Sequence, residues 1–202
     1  MAGALEVDIS ERRDAGAVEV TGVILAAGLS RRMGFPKSLL RWGDETYLDR
    51  IIRMFGAVCD EVVVVFRPGG VLPFNGRARV VLNEDADRGQ LSSLQTGLAV
   101  CGGAVLFSPV DYAHVDEATV RAVVGARSDS FDVMQPIVRE THGHPVLIER
   151  VVVDALLAAP VDGRARDVVR RYRRGYVPVD DVRATMDADD PAAAAAVRET
   201  LR

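Results

Sequence analysis

The chain has 202 residues, a formal net charge of −4, and 49% hydrophobic and 27% charged residues. This is the composition of one ordinary globular domain with a substantial core, without the basic surplus of a nucleic-acid binder. Two cysteines, Cys59 and Cys101, argue against a disulfide framework or a zinc cluster, and no apolar stretch approaches the ~20 residues of a membrane span.

Residues 1–19 mix acids with Arg12 and Arg13 and lack an apolar signal core. A flexible arm is expected there, ahead of a single domain over 20–202 with a cytoplasmic address. Val23 to Ala26 reads as a buried strand. Thr46 to Ala57 has helical spacing, with Leu48, Ile51, Ile52 and Phe55 on one face. Glu61 to Phe66 and Val80 to Leu82 are strands, and Gln90 to Val100 is a helix burying Leu91, Leu94 and Leu98. Ala104 to Phe107 is a strand, and Asp116 to Ala126 a helix opened by Asp116. Phe131 to Pro136 and Pro145 to Ile148 are predicted strands around a loop at 139–143. Helices are predicted over Arg150 to Ala158 and Arg164 to Tyr172, an extended run over Tyr176 to Val179, and a last helix over Pro191 to Leu201. Alternating strands and helices predict an α/β fold with a mostly parallel sheet, whose ligands sit beyond the carboxyl ends of the strands.

The segment after the first strand is the most informative. It holds Gly28, Ser30, Arg31, Arg32, Gly34 and Lys37. Glycines let backbone amides approach phosphate oxygens, and the three cations add fixed positive charge. Five residues separate Gly28 from Gly34 with no third glycine between, so the dinucleotide fingerprint fails. Lys37 follows Gly34 by three residues with Pro36 between, so the P-loop pattern fails too. What does fit is L-A-A-G-x-S-x-R-M-G-x-P-K, from Leu25, Ala26, Ala27 and Gly28 through to Lys37. This resembles the signature of the MobA-like NTP transferases, the molybdenum-cofactor type of nucleotidyltransferase.

Read on their own, the acidic segments leave two roles open. Asp111, just past a strand end, could cap a turn or bind a cation. Met186-Asp187-Ala188-Asp189-Asp190-Pro191 could cap the last helix or supply a second metal carboxylate. The resemblance implies the metal role for both: Asp111 matches a D-x-P element, with Ala113 in place of proline. Asp187, Asp189 and Pro191 match a D-x-D-T-P element, with Asp190 in place of threonine. It therefore implies Mg2+ at Asp111 with Asp187 or Asp189, the choice between those two left open.

Asn83, Ser92, Ser93 and Gly97 fall in register with the family's base- and substrate-facing segment, although Glu84 and Ala86 replace its proline and tryptophan. Gly143-His144-Pro145-Val146 resembles its G-H-P-V element beside the acceptor pocket, and Gly163 to Arg166 a G-x-x-G-A-R turn in which Arg164 replaces glycine. His144 could pack in the core, touch substrate or, with His142, bind zinc; substrate contact is the expectation, while His114 is read as a surface residue.

The resemblance implies a three-layer αβα Rossmann-like nucleotidyltransferase fold and transfer of a nucleotidyl group from a Mg-bound nucleoside triphosphate to a phosphorylated acceptor. Arg32 and Lys37 would hold phosphates. Ala27 and Pro36-Lys37 look like the cytidylyltransferase branch rather than the guanylyltransferase one, which points to CTP over GTP and to molybdopterin as acceptor. Transient contact with a molybdoenzyme or its chaperone is implied in turn. A sugar phosphate or choline phosphate is the alternative acceptor, and a non-catalytic nucleotide carrier or chaperone the alternative class.

Overall fold

The computed structural model describes residues 19–200; the arm expected over residues 1–19 falls, but for Glu19, outside the described residues. In chain order the elements begin with β1 (Val20–Leu25), β2 (Arg41–Trp42), β3 (Glu45–Thr46) and α1 (Tyr47–Gly56). Next come β4 (Glu61–Phe66), β5 (Arg79–Leu82), α2 (Gln90–Leu98), β6 (Ala104–Pro109) and α3 (Glu117–Gly125). Then follow β7 (Val133–Val138), β8 (Thr141–His142), β9 (Val146–Ile148), α4 (Arg150–Leu157), α5 (Ala165–Val169), β10 (Arg174–Pro178) and α6 (Pro191–Glu199).

Continuous apolar runs such as residues 62–66 demand cover on both faces, because successive side chains alternate sides. Ile24, Val62, Val64 and Phe66 pack with Leu48, Ile51 and Phe55 of α1 and Val120 and Val123 of α3. Val23, Leu25, Val63 and Val65 pack on the opposite face with Leu91, Leu94 and Leu98 of α2 and Val152, Val153 and Leu156 of α4. The result is a three-layer αβα sandwich. α1 starts where Thr46 accepts the Asp49 amide at 3.1 Å, while its own hydroxyl donates to the Asp49 carboxylate at 2.7 Å.

The main sheet runs β10-β7-β9-β6-β1-β4-β5, with β8 added on β7. β1 is parallel to both β4 and β6. The chain moves outward from β1 through β4 to the β5 edge, then α2 returns it to β6 on the other side of β1. That reversal leaves a crevice at the carboxyl ends of β1 and β6, where open α/β sheets place their ligands.

The sheet is mixed: β9 is antiparallel to both β6 and β7. The predicted strand at 131–136 lies two residues later, and the predicted 164–172 helix shrinks to the five residues of α5. The β2–β3 hairpin was not predicted; its two-residue strands are too short to show a period. Among the described residues, no helix is long and apolar enough to cross a membrane.

Candidate active site

The loop that leaves β1 is organised by its own polar groups. Ser30 adopts a left-handed backbone (φ 48°), as does Gly34 (φ 78°), an unusual conformation for a residue with a side chain and one that recurs at ligand-binding turns. The Ser30 carbonyl accepts the Met33 amide at 3.0 Å and the Gly34 amide at 3.1 Å. Its hydroxyl accepts the Lys37 amide at 3.1 Å, closing the loop and fixing the start of the short 3-10 turn Lys37–Leu39.

Lys37 is thereby aimed at two carboxylates from distant parts of the chain. Its Nζ donates to Asp111 Oδ2 at 2.8 Å and also to Asp189 Oδ1. Asp111 sits in the Val110–Tyr112 3-10 turn directly after β6, so the loops of two adjacent parallel strands deliver the cation and the first acid. Arg32, 76% exposed, reaches Asp189 only loosely, at 3.6 Å.

The electrostatics follow from this burial. Desolvation pushes the Asp111 carboxyl above the ordinary carboxylate range, against the opposing hydrogen bond from Lys37. The hydrogen bond from Lys37 holds the more exposed Asp189 below that range. Lys37 loses by desolvation but gains more from its two acids, so its ammonium is held above the usual value. Asp111 Oδ1 is buried with no hydrogen-bond partner. An orphaned carboxylate oxygen beside a second carboxylate suits a hard divalent cation. Among the described residues no group of three or more His, Cys, Asp or Glu could hold a metal, so such a cation would complete its shell with phosphate oxygens and water.

These groups face a cavity of about 860 Å³. Leu25, Ala26, Ala27, Gly28, Ser30, Arg31, Arg32, Gly34 and Lys37 line it, with Ser93, Asp111 and Asp189. Arg67, Gly70, Leu72 and Gln90 line it too and were not singled out from the sequence. The available signal for the first three was their place just beyond the carboxyl end of β4, beside the β1 loop.

Other candidate positions lie behind this surface. Asn83 is buried and donates to the Ser92 and Ser93 hydroxyls at 3.0 Å each, while its own Oδ1 accepts the Asp85 amide at 3.0 Å. It thus pins the start of α2 to the end of β5. A Cβ on Gly97 would lie 2.6 Å from Val23 Cγ1, so its role in the structure is close approach of α2 to β1. Asp187 is exposed and outside the cavity lining, whereas Asp190 caps α6, its Oδ1 accepting the Ala193 amide at 2.9 Å. The capping role in that acidic segment thus falls to Asp190, while Asp189 bonds Lys37.

Gly143, His144 and Pro145 are also absent from the cavity lining. Gly143 packs on the Ala184 carbonyl, which accepts the His144 amide at 2.9 Å. The His144 ring lies 4.5 Å from that of Tyr112 and 6.0 Å from Phe107, and burial lowers its pKa to about 4. His142 instead stacks on Tyr176 at 4.6 Å. The surface reading of His114 is corrected: it is fully buried, enclosed by Trp42, Tyr47 and Tyr112, with its pKa lowered by desolvation to about 4. Burial likewise pushes the thiols of Cys59 and Cys101 up to about 12 and about 11, away from the thiolate form.

Residues 22–175 match the MobA-like NTP transferase domain. The chain is 33% identical over 124 residues to the molybdenum cofactor guanylyltransferase of Desulfosudis oleivorans, covering 60% of each protein. It is 27% identical over 133 residues to a probable molybdenum cofactor guanylyltransferase of Bacillus cytotoxicus, covering 63% of this chain and 66% of that one. These matches thus span less than two thirds of the curated relatives' length. Rv0371c of Mycobacterium tuberculosis superposes with a TM-score of 0.78 at 25% identity, over 92% of this chain and all of that one.

Proposed function

The chain belongs to the MobA-like NTP transferase family, and from that membership and the site's geometry we propose that it transfers a nucleoside monophosphate from a nucleoside triphosphate to a phosphorylated acceptor. The observation that carries this reading is the meeting of Lys37, Asp111 and Asp189 at a cavity walled by the Gly28–Lys37 loop. In the reaction, an oxygen of the acceptor's phosphomonoester attacks the α-phosphorus. A new P–O bond forms, the bond to the β-phosphate oxygen breaks, and pyrophosphate leaves. An ionised phosphomonoester needs no proton removed, so no general base or covalent intermediate is required.

The protein's task is then positioning and charge neutralisation. The amides of the β1 loop face the triphosphate, and Arg31 and Arg32 offer exposed guanidiniums to its oxygens. Lys37 leaves its acids to hold the β- and γ-phosphates and offsets charge on the departing pyrophosphate. Asp111 and Asp189 would hold Mg2+, which supplies Lewis-acid polarisation of the phosphates when bound.

The acceptor we propose is molybdopterin, because the curated relatives carry molybdenum cofactor transferase names. Two observations bear on the nucleotide. Ala27, in the cavity wall, and Pro36-Lys37 resemble the cytidylyl branch, which favours CTP. The guanylyltransferase names of those relatives favour GTP.

The test is pyrophosphate release from each triphosphate with Mg2+ and either molybdopterin, a sugar phosphate or choline phosphate. Release with one pair identifies both substrates. Nucleotide binding without release from any pair would make the protein a carrier. Thermal shift with CTP against GTP ranks the bases, since the tighter ligand raises Tm more at equal concentration.

A further inference from the structure

His114 lies three residues beyond Asp111, yet it contacts the other acidic segment. Its Nε2 is 2.9 Å from the carbonyl oxygen of Met186, across a sequence separation of 72 residues. Met186 closes the 3-10 turn Val182–Thr185 and is three residues before Asp189. The ring has little freedom to rotate away, because Tyr47, Trp42 and Tyr112 enclose it with centroids at 5.7, 6.2 and 6.2 Å. Facing a carbonyl, Nε2 must carry the proton and donate. Arg183 clamps the same turn from its other end, donating to Asp181 at 2.8 Å and pairing with Asp116. Asp181 in turn accepts the Asp116 amide at 2.7 Å. The strand-end segment 110–116 is thus fastened to the 181–186 segment at two places, with His114 at the end nearer Asp189.

We infer that His114 is a positioning residue: by holding the Met186 carbonyl it sets the reach of Asp189 toward Asp111 and Lys37. The inference rests on the reading of Asp111 and Asp189 as the cation-holding pair. Partners that orient ligands in this way commonly control metal affinity by ~10–100-fold without touching the metal.

The experiment measures Mn2+ affinity by EPR in the presence of a saturating nucleoside triphosphate, together with kcat and KM, for three full-length variants. His114→Phe keeps the aromatic volume and removes the donor; His114→Gln keeps an N–H donor; Asp189→Asn removes the proposed ligand. His114→Phe is expected to weaken Mn2+ binding about tenfold and to lower kcat with little change in nucleotide KM, while His114→Gln recovers most of both. Weakened binding in Asp189→Asn beside an unaltered His114→Phe would overturn the inference alone. Unaltered binding in Asp189→Asn would overturn the cation-site reading and the inference with it. Should His114→Phe fail to fold, His114→Leu, which also lacks a donor, is compared with His114→Gln in the same assays.

Discussion

Lys37 Nζ lies 2.8 Å from Asp111 Oδ2 and bonds Asp189 from the same position, so one ammonium is shared by two carboxylates from distant parts of the chain. If these acids hold the divalent cation as proposed, Lys37 competes with it for their oxygens, and a bound triphosphate would draw Lys37 away. Metal and nucleotide should bind with positive coupling, which by linkage is equal in both directions. The expected outcome is weak Mn2+ binding to the free protein and much tighter binding with nucleotide. In Lys37→Met the free protein should bind Mn2+ better than wild type while kcat/KM falls by at least ~2 kcal/mol of transition-state stabilisation. Equal Mn2+ affinity with and without nucleotide in the wild type would refute the coupling.

Asp111→Asn separates the site's chemistry from its stability. The carboxyl is buried and pushed up by desolvation, so replacing it with an amide removes a costly charge while keeping an oxygen for Lys37. Turnover should be lost, with Tm unchanged or raised. A variant with near wild-type Mg-dependent turnover would take Asp111 out of the reaction.

Much of this arrangement was legible in the sequence because its signals are local. The run Glu61–Phe66 could be only a buried strand, and residues 25–37 carry glycine, cation and turn chemistry in one uninterrupted stretch. The acids were legible as types but not as roles. Asp189 and Asp190 are adjacent and chemically identical, yet one bonds Lys37 and the other caps α6. His114 was misread for a related reason. A lone histidine after a turn looks solvated until Trp42, from a hairpin with no detectable period, folds over it. Arg67 and Leu72 belong to a loop with no motif, and enter the cavity wall by topology alone.

Asn83 is the clearest case of a motif residue whose structural role can be measured apart from catalysis. Replacing it with alanine strips partners from two buried hydroxyls and from the Asp85 amide. Unsatisfied buried groups cost about 1–3 kcal/mol each at most, with partial relief from entering water. Asn83→Ala should lower the urea midpoint by an amount equivalent to roughly 2 kcal/mol. It should also raise nucleotide KM, because Ser93, which lines the cavity, loses its anchor. A higher KM at unchanged stability would instead argue for direct contact between Asn83 and the nucleotide.

The two desolvated imidazoles make stability depend on pH in a stated direction. Desolvation lowers His114 and His144 from 6.5 to about 4 in the folded protein. Between those values the unfolded chain binds more protons than the folded one, so stability is complete above pH 6.5 and is lost as the pH falls toward 4. The slope is at most ~1.4 kcal/mol per pH unit for each histidine. Asp111, whose carboxyl is pushed up, works in the opposite sense, so the informative comparison is between wild type and variant at each pH. His144→Phe keeps a ring against Tyr112 and Phe107 and removes one of the two titrations. Guanidinium unfolding at pH 7 and pH 5 should therefore show the variant losing markedly less stability than wild type over that interval. Parallel losses in the two proteins would mean that His144 is not held neutral by its surroundings.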